Sequence, residues 1–279
     1  MTLAEARQLA CRRLRAAGID SVEAEAVALL EGVTGLTRSA LLLQSERPLQ
    51  PAERLRLLQA LHRRAAREPL QHILGRAPFY GLELEVDADV MVPRPETERL
   101  VELVLAWLAG VDAPCVLDLG CGSGAIALAL KVERPDADVM AADVAPEAVL
   151  ATRRNAERLR LAVTVRHSDL LAGADVAAFA AGCQALVANL PYLPAADADS
   201  LQAEARHDPH GALFAGEDGL AVVRRLLRQA YRLLPAGALL ALELDPRNVR
   251  QALREAGAWA SAAVERDLAG RERFLLAVR

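Results

Sequence analysis

Lysine is nearly missing from the chain: Lys131 is the one lysine among 33 basic residues, and the rest are arginine. A bias that even reflects genomic composition rather than a recognition device. Aromatic residues make up only 3% of the sequence, too few for the stacking platform on which single-stranded nucleic acids are held. Cysteine offers no framework either. Cys11, Cys115, Cys121 and Cys183 are scattered without a C-x-x-C pair, and they read as small buried hydrophobes in a reducing compartment. Long apolar runs are also lacking. Val101 to Val111 is too short to span a bilayer and contains Glu102. The opening MTLAEARQLACRRL interleaves charge with apolar residues, unlike a signal peptide. The expected setting is the cytoplasm, with no membrane partner.

What remains is an ordinary globular balance of 53% apolar and 25% charged residues over 279 positions, enough for one large domain and a smaller one. The net charge is −4, yet residues 1–75 hold eleven arginines against eight acids. That modest basic excess falls short of the footprint of a dedicated nucleic-acid binder, so no stable nucleic-acid binding is expected.

Residues 1–74 read as a small helical domain. Asp20 and Glu23 have capping-box spacing, and Pro51 suits the first turn of a helix ending near Arg67. Phe79 to Val86 alternates apolar and acidic residues as a strand does, with Val90-Met91-Val92 as its expected partner; residues 75–93 then form a hairpin-like connector. From residue 94 to 279 helices alternate with apolar runs at Cys115–Leu119, Val139–Ala142, Val163–Arg166, Ala185–Ala188 and Ala238–Leu242. The rhythm predicts an α/β domain with a doubly wound, mostly parallel sheet. Ala262–Arg266 and Arg273–Val278 predict a terminal antiparallel hairpin.

Chemistry concentrates at two strand ends. Val116-Leu-Asp118-Leu-Gly120-Cys121-Gly122-Ser123-Gly124-Ala125 is a strand, a glycine turn and a helix start, where a ligand can lie on the main chain. Nineteen residues after Gly124 a strand ends in Asp143, placed to accept both hydroxyls of a ribose. Gly120, Gly122 and Ala125 also satisfy G-x-G-x-x-G/A, so a nicotinamide dehydrogenase is the competing reading. Asp118, two residues ahead of the first glycine, favours a cationic ligand end over a pyrophosphate. The second strand end is Asn189-Leu190-Pro191-Tyr192. An amide or exocyclic amino nitrogen is a poor nucleophile because its lone pair is delocalised. The Asn189 side-chain oxygen and the Leu190 carbonyl can take its two hydrogens and aim that lone pair, Pro191 fixes the loop, and Tyr192 packs on the planar group. Asn189 and Tyr192 are the catalytic candidates, and all four residues are the substrate-binding ones. His207-Asp-Pro-His210 has metal-compatible spacing but no third ligand, so no metal is assigned.

Asp118-Leu-Gly-Cys-Gly-Ser-Gly124 resembles the first motif of the class I S-adenosylmethionine methyltransferases. The resemblance implies that Gly120, Cys121, Gly122, Ser123 and Gly124 pass under the methionine part, that Asp143 holds the ribose, and that Asp169-Leu170 flanks the adenine. Asn189 belongs with this cofactor set as well. Asn189-Leu-Pro-Tyr192 is similar both to the Asn-Pro-Pro-Tyr of amino-methyltransferases and to the motif of ribosomal-RNA adenine dimethylases. The segment from Gly75 through Val90-Met-Val-Pro-Arg94-Pro95-Glu-Thr97-Glu98 resembles the connector of the release-factor glutamine methyltransferases, as do Asp208-Pro-His-Gly-Ala-Leu213 and Asp267-Leu-Ala-Gly-Arg-Glu-Arg273. Asp208 stands where that family usually has glutamate, and Glu243-Leu-Asp-Pro departs from a more usual glycine. Membership implies methylation of the glutamine N5 in the Gly-Gly-Gln motif of peptide chain release factors, gripped by the helical domain. A ribosomal-protein glutamine methyltransferase, an adenine N6-methyltransferase and a non-catalytic binding protein are the other readings.

Overall fold

Thr2 begins the first helix by accepting the Glu5 amide while Glu5 accepts the Thr2 amide, a reciprocal cap that satisfies two otherwise orphaned donors. The computed structural model describes residues 1–279 in two units. One comprises Met1–Gly75 with Gln202–His207; the other comprises Arg76–Leu201 with Asp208–Arg279.

The first unit contains α1 (Leu3–Ala16), α2 (Val22–Thr34), α3 (Arg38–Leu43), α4 (Pro51–Ala65) and α5 (Leu70–Leu74). Leu3, Leu14, Leu29, Leu30, Leu57 and Leu61 meet in its core. Pro51 opens α4 as its sequence position predicts. The expected Asp20 cap does not form. Ser21 occupies the cap position of α2 without a side-chain bond, and Glu23 is drawn away to Arg15 at 3.0 Å. Arg64 is buried at the end of α4. It grips Glu25 through Nε and Nη2 at 2.6 and 3.1 Å and reaches Glu204 at 3.1 Å, while Arg67 also pairs with Glu204. These ion pairs explain why the short segment Gln202–His207 groups with the helices.

The second unit opens with a hairpin of β1 (Arg76–Phe79) and β2 (Leu82–Glu85). The expected pairing of 79–86 with Val90-Met91-Val92 is therefore wrong. Tyr80 and Gly81 both have positive φ, 48° and 75°, which turns the chain inside the expected strand and pairs Phe79 with Leu82. The Tyr80 amide is held by Glu98 at 2.7 Å. Val90 and Val92 are buried in a loop beside Val86, Ala148 and Ala151.

Then follow α6 (Glu96–Trp107), β3 (Cys115–Leu119), α7 (Ala125–Glu133), β4 (Asp138–Asp143), α8 (Pro146–Leu159), β5 (Thr164–His167), α9 (Ala174–Ala180) and β6 (Ala185–Asn189). The chain ends with α10 (His210–Leu213), α11 (Ala221–Leu233), β7 (Leu239–Glu243), α12 (Val249–Glu255), β8 (Ser261–Arg266) and β9 (Glu272–Val278). The sheet order is β5-β4-β3-β6-β7-β9-β8. Its first five strands are parallel, and β9 and β8 close it antiparallel, as the alternation and the terminal hairpin predict. The central strands are apolar on both faces apart from Asp118 in β3, because both faces are covered. Leu117, Leu119, Leu186 and Leu240 pack towards α9, α11 and α12; Val116, Val139, Val187 and Ala241 pack towards α6 and α7.

Register decides what gathers at the carboxyl edge. Leu119 pairs with Ala142 on one side and Ala188 on the other, so the next residues, Gly120, Asp143 and Asn189, fall in one row. Asn189 in turn pairs with Glu243.

In the helical unit, Arg64→Ala leaves Glu25 without its cation, while Glu204 keeps only Arg67. We expect a loss of about 3 kcal/mol, since uncompensated charge at a largely buried site is costly. A urea titration followed by far-UV circular dichroism measures it; an unchanged midpoint refutes it.

Candidate active site

A strand that ends in glycine can turn under a ligand without a side chain in the way. Gly120, Gly122 and Gly124 all have positive φ, 72°, 54° and 86°, so the segment after β3 is three left-handed steps that only glycine takes at little cost. Asp143, at the end of β4, locks this turn. Its Oδ2 accepts the Gly122 amide at 3.0 Å and its Oδ1 accepts the Ala145 amide at 2.9 Å. Burial pushes the Asp143 carboxyl above its ordinary range, and those two amides pull it back. Each oxygen keeps a further lone pair for a hydroxyl.

Around the turn lies a cavity of about 400 Å³. Gly120, Cys121, Gly122, Ser123, Asp143, Leu170, Asn189, Leu190 and Pro191 all line it, so most of the sequence-derived candidates come together. Gly124 stands behind the wall as the left-handed cap of α7, where a Cβ would meet Thr152 at 2.9 Å. The Cys121 thiol is buried against the Thr152 hydroxyl at 3.2 Å, and burial drives its pKa well up; it is no nucleophile. Tyr192 does not line the cavity. Its half-buried side chain packs against the core beside Glu243, and desolvation and that acid together raise the phenol's pKa.

Asp118 also differs from expectation. Its carboxylate is wholly buried behind the turn rather than facing the cavity, with Oδ2 accepting the Ala127 amide at 3.0 Å and Oδ1 without any partner. Burial pushes its pKa up to about 7, and the nearby Asp143 adds to the shift. The donor set suits the sulfonium nucleoside implied by the motif. A glycine cradle, two acids behind and beside it, and lone pairs on Asp143 would accommodate a cationic chain and a ribose.

The loop after β6 carries the polar pair. Asn189 donates through Nδ2 to the Thr97 hydroxyl oxygen at 3.2 Å. No group of the chain donates to Asn189 Oδ1 or to the Leu190 carbonyl. Two acceptors therefore remain for a planar NH2 group, and they suit its two hydrogens. Leu190 lies directly over the glycine turn: a Cβ on Gly120 would meet its Cδ2 at 2.8 Å. Two residues far away in sequence complete the loop. Asn248 donates to the Tyr192 carbonyl at 2.9 Å, and Gly219 passes so close that an added Cβ would lie 2.1 Å from that oxygen. Sequence reasoning assigned a role to neither Gly219 nor Asn248.

The segment ahead of α6 supplies the opposite wall through Val90, Met91, Pro93, Arg94 and Thr97. Asp208 ties it down, accepting the Val92 amide at 3.3 Å and Arg94 Nη2 at 2.5 Å. The aspartate at this position thus makes a strap between two cavity-lining segments. At the terminal hairpin, Asp267 accepts the Arg271 amide at 2.8 Å, Arg271 Nε at 2.8 Å and Arg273 Nε at 3.2 Å. This fixes the β8–β9 turn.

Residues 5–75 match the family described as PrmC N-terminal domain, and residues 100–201 match Methyltransferase small domain. Along the full chain the sequence is 45% identical to the "Release factor glutamine methyltransferase" of Deinococcus radiodurans, covering 100% of this chain and 99% of that one. It is 42% identical to the protein of the same name from Moorella thermoacetica, with coverage of 100% and 99%. Among solved structures, the hMettl16 catalytic domain in complex with MAT2A 3'UTR hairpin 6 superposes with a TM-score of 0.57 at 15% identity, covering 81% of each chain. That likeness concerns the fold alone.

Two outcomes are expected from this geometry. The Asp118 carboxyl has a folded pKa near 7 against an ordinary value of 3.8, so its contribution to stability is complete below pH 3.8 and is lost as pH rises through 7. Asp118→Asn should therefore stabilise the ligand-free chain at pH 8, by on the order of 4 kcal/mol as a ceiling, and leave it little changed at pH 4. Melting curves at both values decide; a pH-independent difference refutes the buried charge. Gly219→Ala should displace the Tyr192 carbonyl and lower methyl transfer by about 100-fold. Gly237→Ala, at φ 83° with nothing within 4 Å of its Cβ, should cost about 1 kcal/mol of stability without that loss. Equal activities in the two variants would disprove the close approach.

Proposed function

The chain belongs to the release factor glutamine methyltransferase family, and from that premise we propose that it methylates the side-chain N5 of the glutamine in the Gly-Gly-Gln motif of peptide chain release factors. S-adenosylmethionine is the donor, and it supplies a methyl group on a sulfonium that leaves without acid assistance. Everything else falls to the chain's own residues. The observation that carries the reading is the pair of open acceptors, Asn189 Oδ1 and the Leu190 carbonyl, at the edge of the glycine-turn cavity.

A carboxamide nitrogen has its lone pair spread into the carbonyl, so binding must restore some of its nucleophilicity. Hydrogen bonds from both N–H groups to Asn189 and Leu190 orient the nitrogen with its π face towards the methyl group. They also stabilise positive charge as it develops there. As the new N–C bond forms, one N–H proton is lost to water, and the product is a neutral secondary amide. No side chain with a tuned pKa is needed, which agrees with the inert Cys121 and the raised pKa of the Tyr192 phenol.

In this reading residues 94–279 carry the cofactor and the reaction. Residues 1–74 recognise the folded release factor, and residues 75–93 present its loop. The reaction takes place in the cytoplasm, where the release factors are. No helix is long and apolar enough to cross a membrane.

The test incubates the full chain with isotopically labelled S-adenosylmethionine and, separately, a release factor, ribosomal proteins and RNA. Mass spectrometry should place one methyl on the Gly-Gly-Gln glutamine. Label on a ribosomal-protein glutamine or on adenine, or no label at all, defeats the proposal. Asn189→Ala should lower kcat by at least about 100-fold, as loss of a preorganised acceptor does, while cofactor affinity stays within about threefold.

A further inference from the structure

Glu243 is a buried acid with no part in the chemistry above. It stands at the carboxyl end of β7, directly in register with Asn189 on β6. Only 2% of it is exposed, and its Oε2 has no hydrogen-bond partner. Burial pushes its pKa up to about 7, while the nearby Thr97 hydroxyl and the Arg273 guanidinium pull the other way. Maintaining an acid in such a place is costly, and α6, β7 and the terminal hairpin all converge on it.

A carboxamide can present either end. Its oxygen accepts and its nitrogen donates, and a half-turn about the last side-chain bond exchanges them with little change in shape. The proposed chemistry tolerates only one of the two. A substrate NH2 needs an acceptor, so Asn189 must point Oδ1 towards it and keep Nδ2 away. Thr97 holds Nδ2, yet a threonine hydroxyl is itself ambivalent, because it accepts or donates according to where its one proton goes. Something must fix that proton.

We propose that Glu243 is the positioning residue that sets the polarity of the site, by taking the Thr97 hydroxyl proton so that the Thr97 oxygen can only accept from Asn189. The direction then runs one way: Asn189 Nδ2 donates to Thr97 Oγ1, and the Thr97 hydroxyl, which donates to no other group, turns its proton to the buried acid of Glu243, whose Oε2 lacks a partner. Asn189 Oδ1 is left as an acceptor for the substrate. Reversal would place a donor against the substrate's own donors, a repulsive arrangement. The inference rests on the glutamine reading for its substrate, but the relay is a property of the chain itself.

Its consequence concerns specificity. Glutamine and glutamate have nearly the same shape, and a site with two fixed acceptors rejects the carboxylate while welcoming the amide. Once the relay is broken, Asn189 can turn and donate, and the distinction fades.

The experiment uses the full chain with Thr97→Val, Thr97→Ser, Glu243→Leu and Glu243→Gln. The first readout needs no substrate. By NMR, the Asn189 side-chain amide, identified through its loss in Asn189→Ala, should show slowly exchanging protons. It should keep them in Thr97→Ser and Glu243→Gln, where a hydroxyl and an acceptor persist, and lose that protection in Thr97→Val and Glu243→Leu. The second readout is kinetic. Thr97→Val should lower kcat on the release factor at least tenfold with the cofactor KM unchanged. It should also gain at least tenfold in affinity for a release factor carrying glutamate in place of the methylated glutamine. Thr97→Ser should restore both values. Protection unchanged in folded Thr97→Val and Glu243→Leu overturns the relay, as does unchanged discrimination between the two release factors. Should one of these variants not fold, the other decides by its amide protection. A wild-type chain that leaves the release factor unmethylated defeats the functional reading alone, and the amide protons still judge the relay.

Discussion

The parallel register of β4, β3, β6 and β7 is the constraint on which the site depends. Because Leu119 sits level with Ala142 and Ala188, the chain delivers Gly120, Asp143 and Asn189 side by side, with Glu243 next along the row. A slip of one residue in any of these strands would reverse which face each side chain meets. The apolar burial of the central strands protects against it. The same leucines and valines that hold the sheet between its helices therefore also set the spacing of the polar groups at its edge.

That edge holds three acids wholly or partly withdrawn from water. Asp118, Asp143 and Glu243 all have carboxyls raised by burial, each restrained by a small number of donors. In a folded protein such groups cost stability, and a site that receives a cation is where that cost finds compensation. Around them the loops are stapled by arginines: Arg94 on Asp208, and Arg271 and Arg273 on Asp267. Each of these arginines gives one charge-assisted bond from a guanidinium that stays charged, so a chain almost without lysine loses little here.

Much of this was legible in the sequence because it is local. A strand, a glycine turn, a helix and an acid at the next strand end follow one another in order, and the alternation of helices and apolar runs sufficed for the fold. The failures have physical causes too. Tyr80-Gly81 lies within an alternating run, so periodicity passed over a turn that only backbone handedness marks. Asp20 and Glu23 have the right spacing for a cap, but Arg15 eight residues away competes for Glu23. Asn248, Gly219 and Glu243 touch the Asn189–Tyr192 loop only through the sheet and its crossovers, and no spacing rule reaches across such distances. Tyr192 stands apart from the cavity lining: its motif suggests stacking over the substrate, and in the structure its half-buried side chain packs beside Glu243.

The two tight glycines beside that loop are held by different constraints. Gly120 is crowded only by the end of a flexible leucine side chain, which can give way, so it is the positive φ that holds the position for glycine. Gly219 faces a peptide carbonyl, which no substitution at Tyr192 can remove. Position 219 is thus closed to compensatory change: among descendants of this sequence it can be lost only together with the loop it supports.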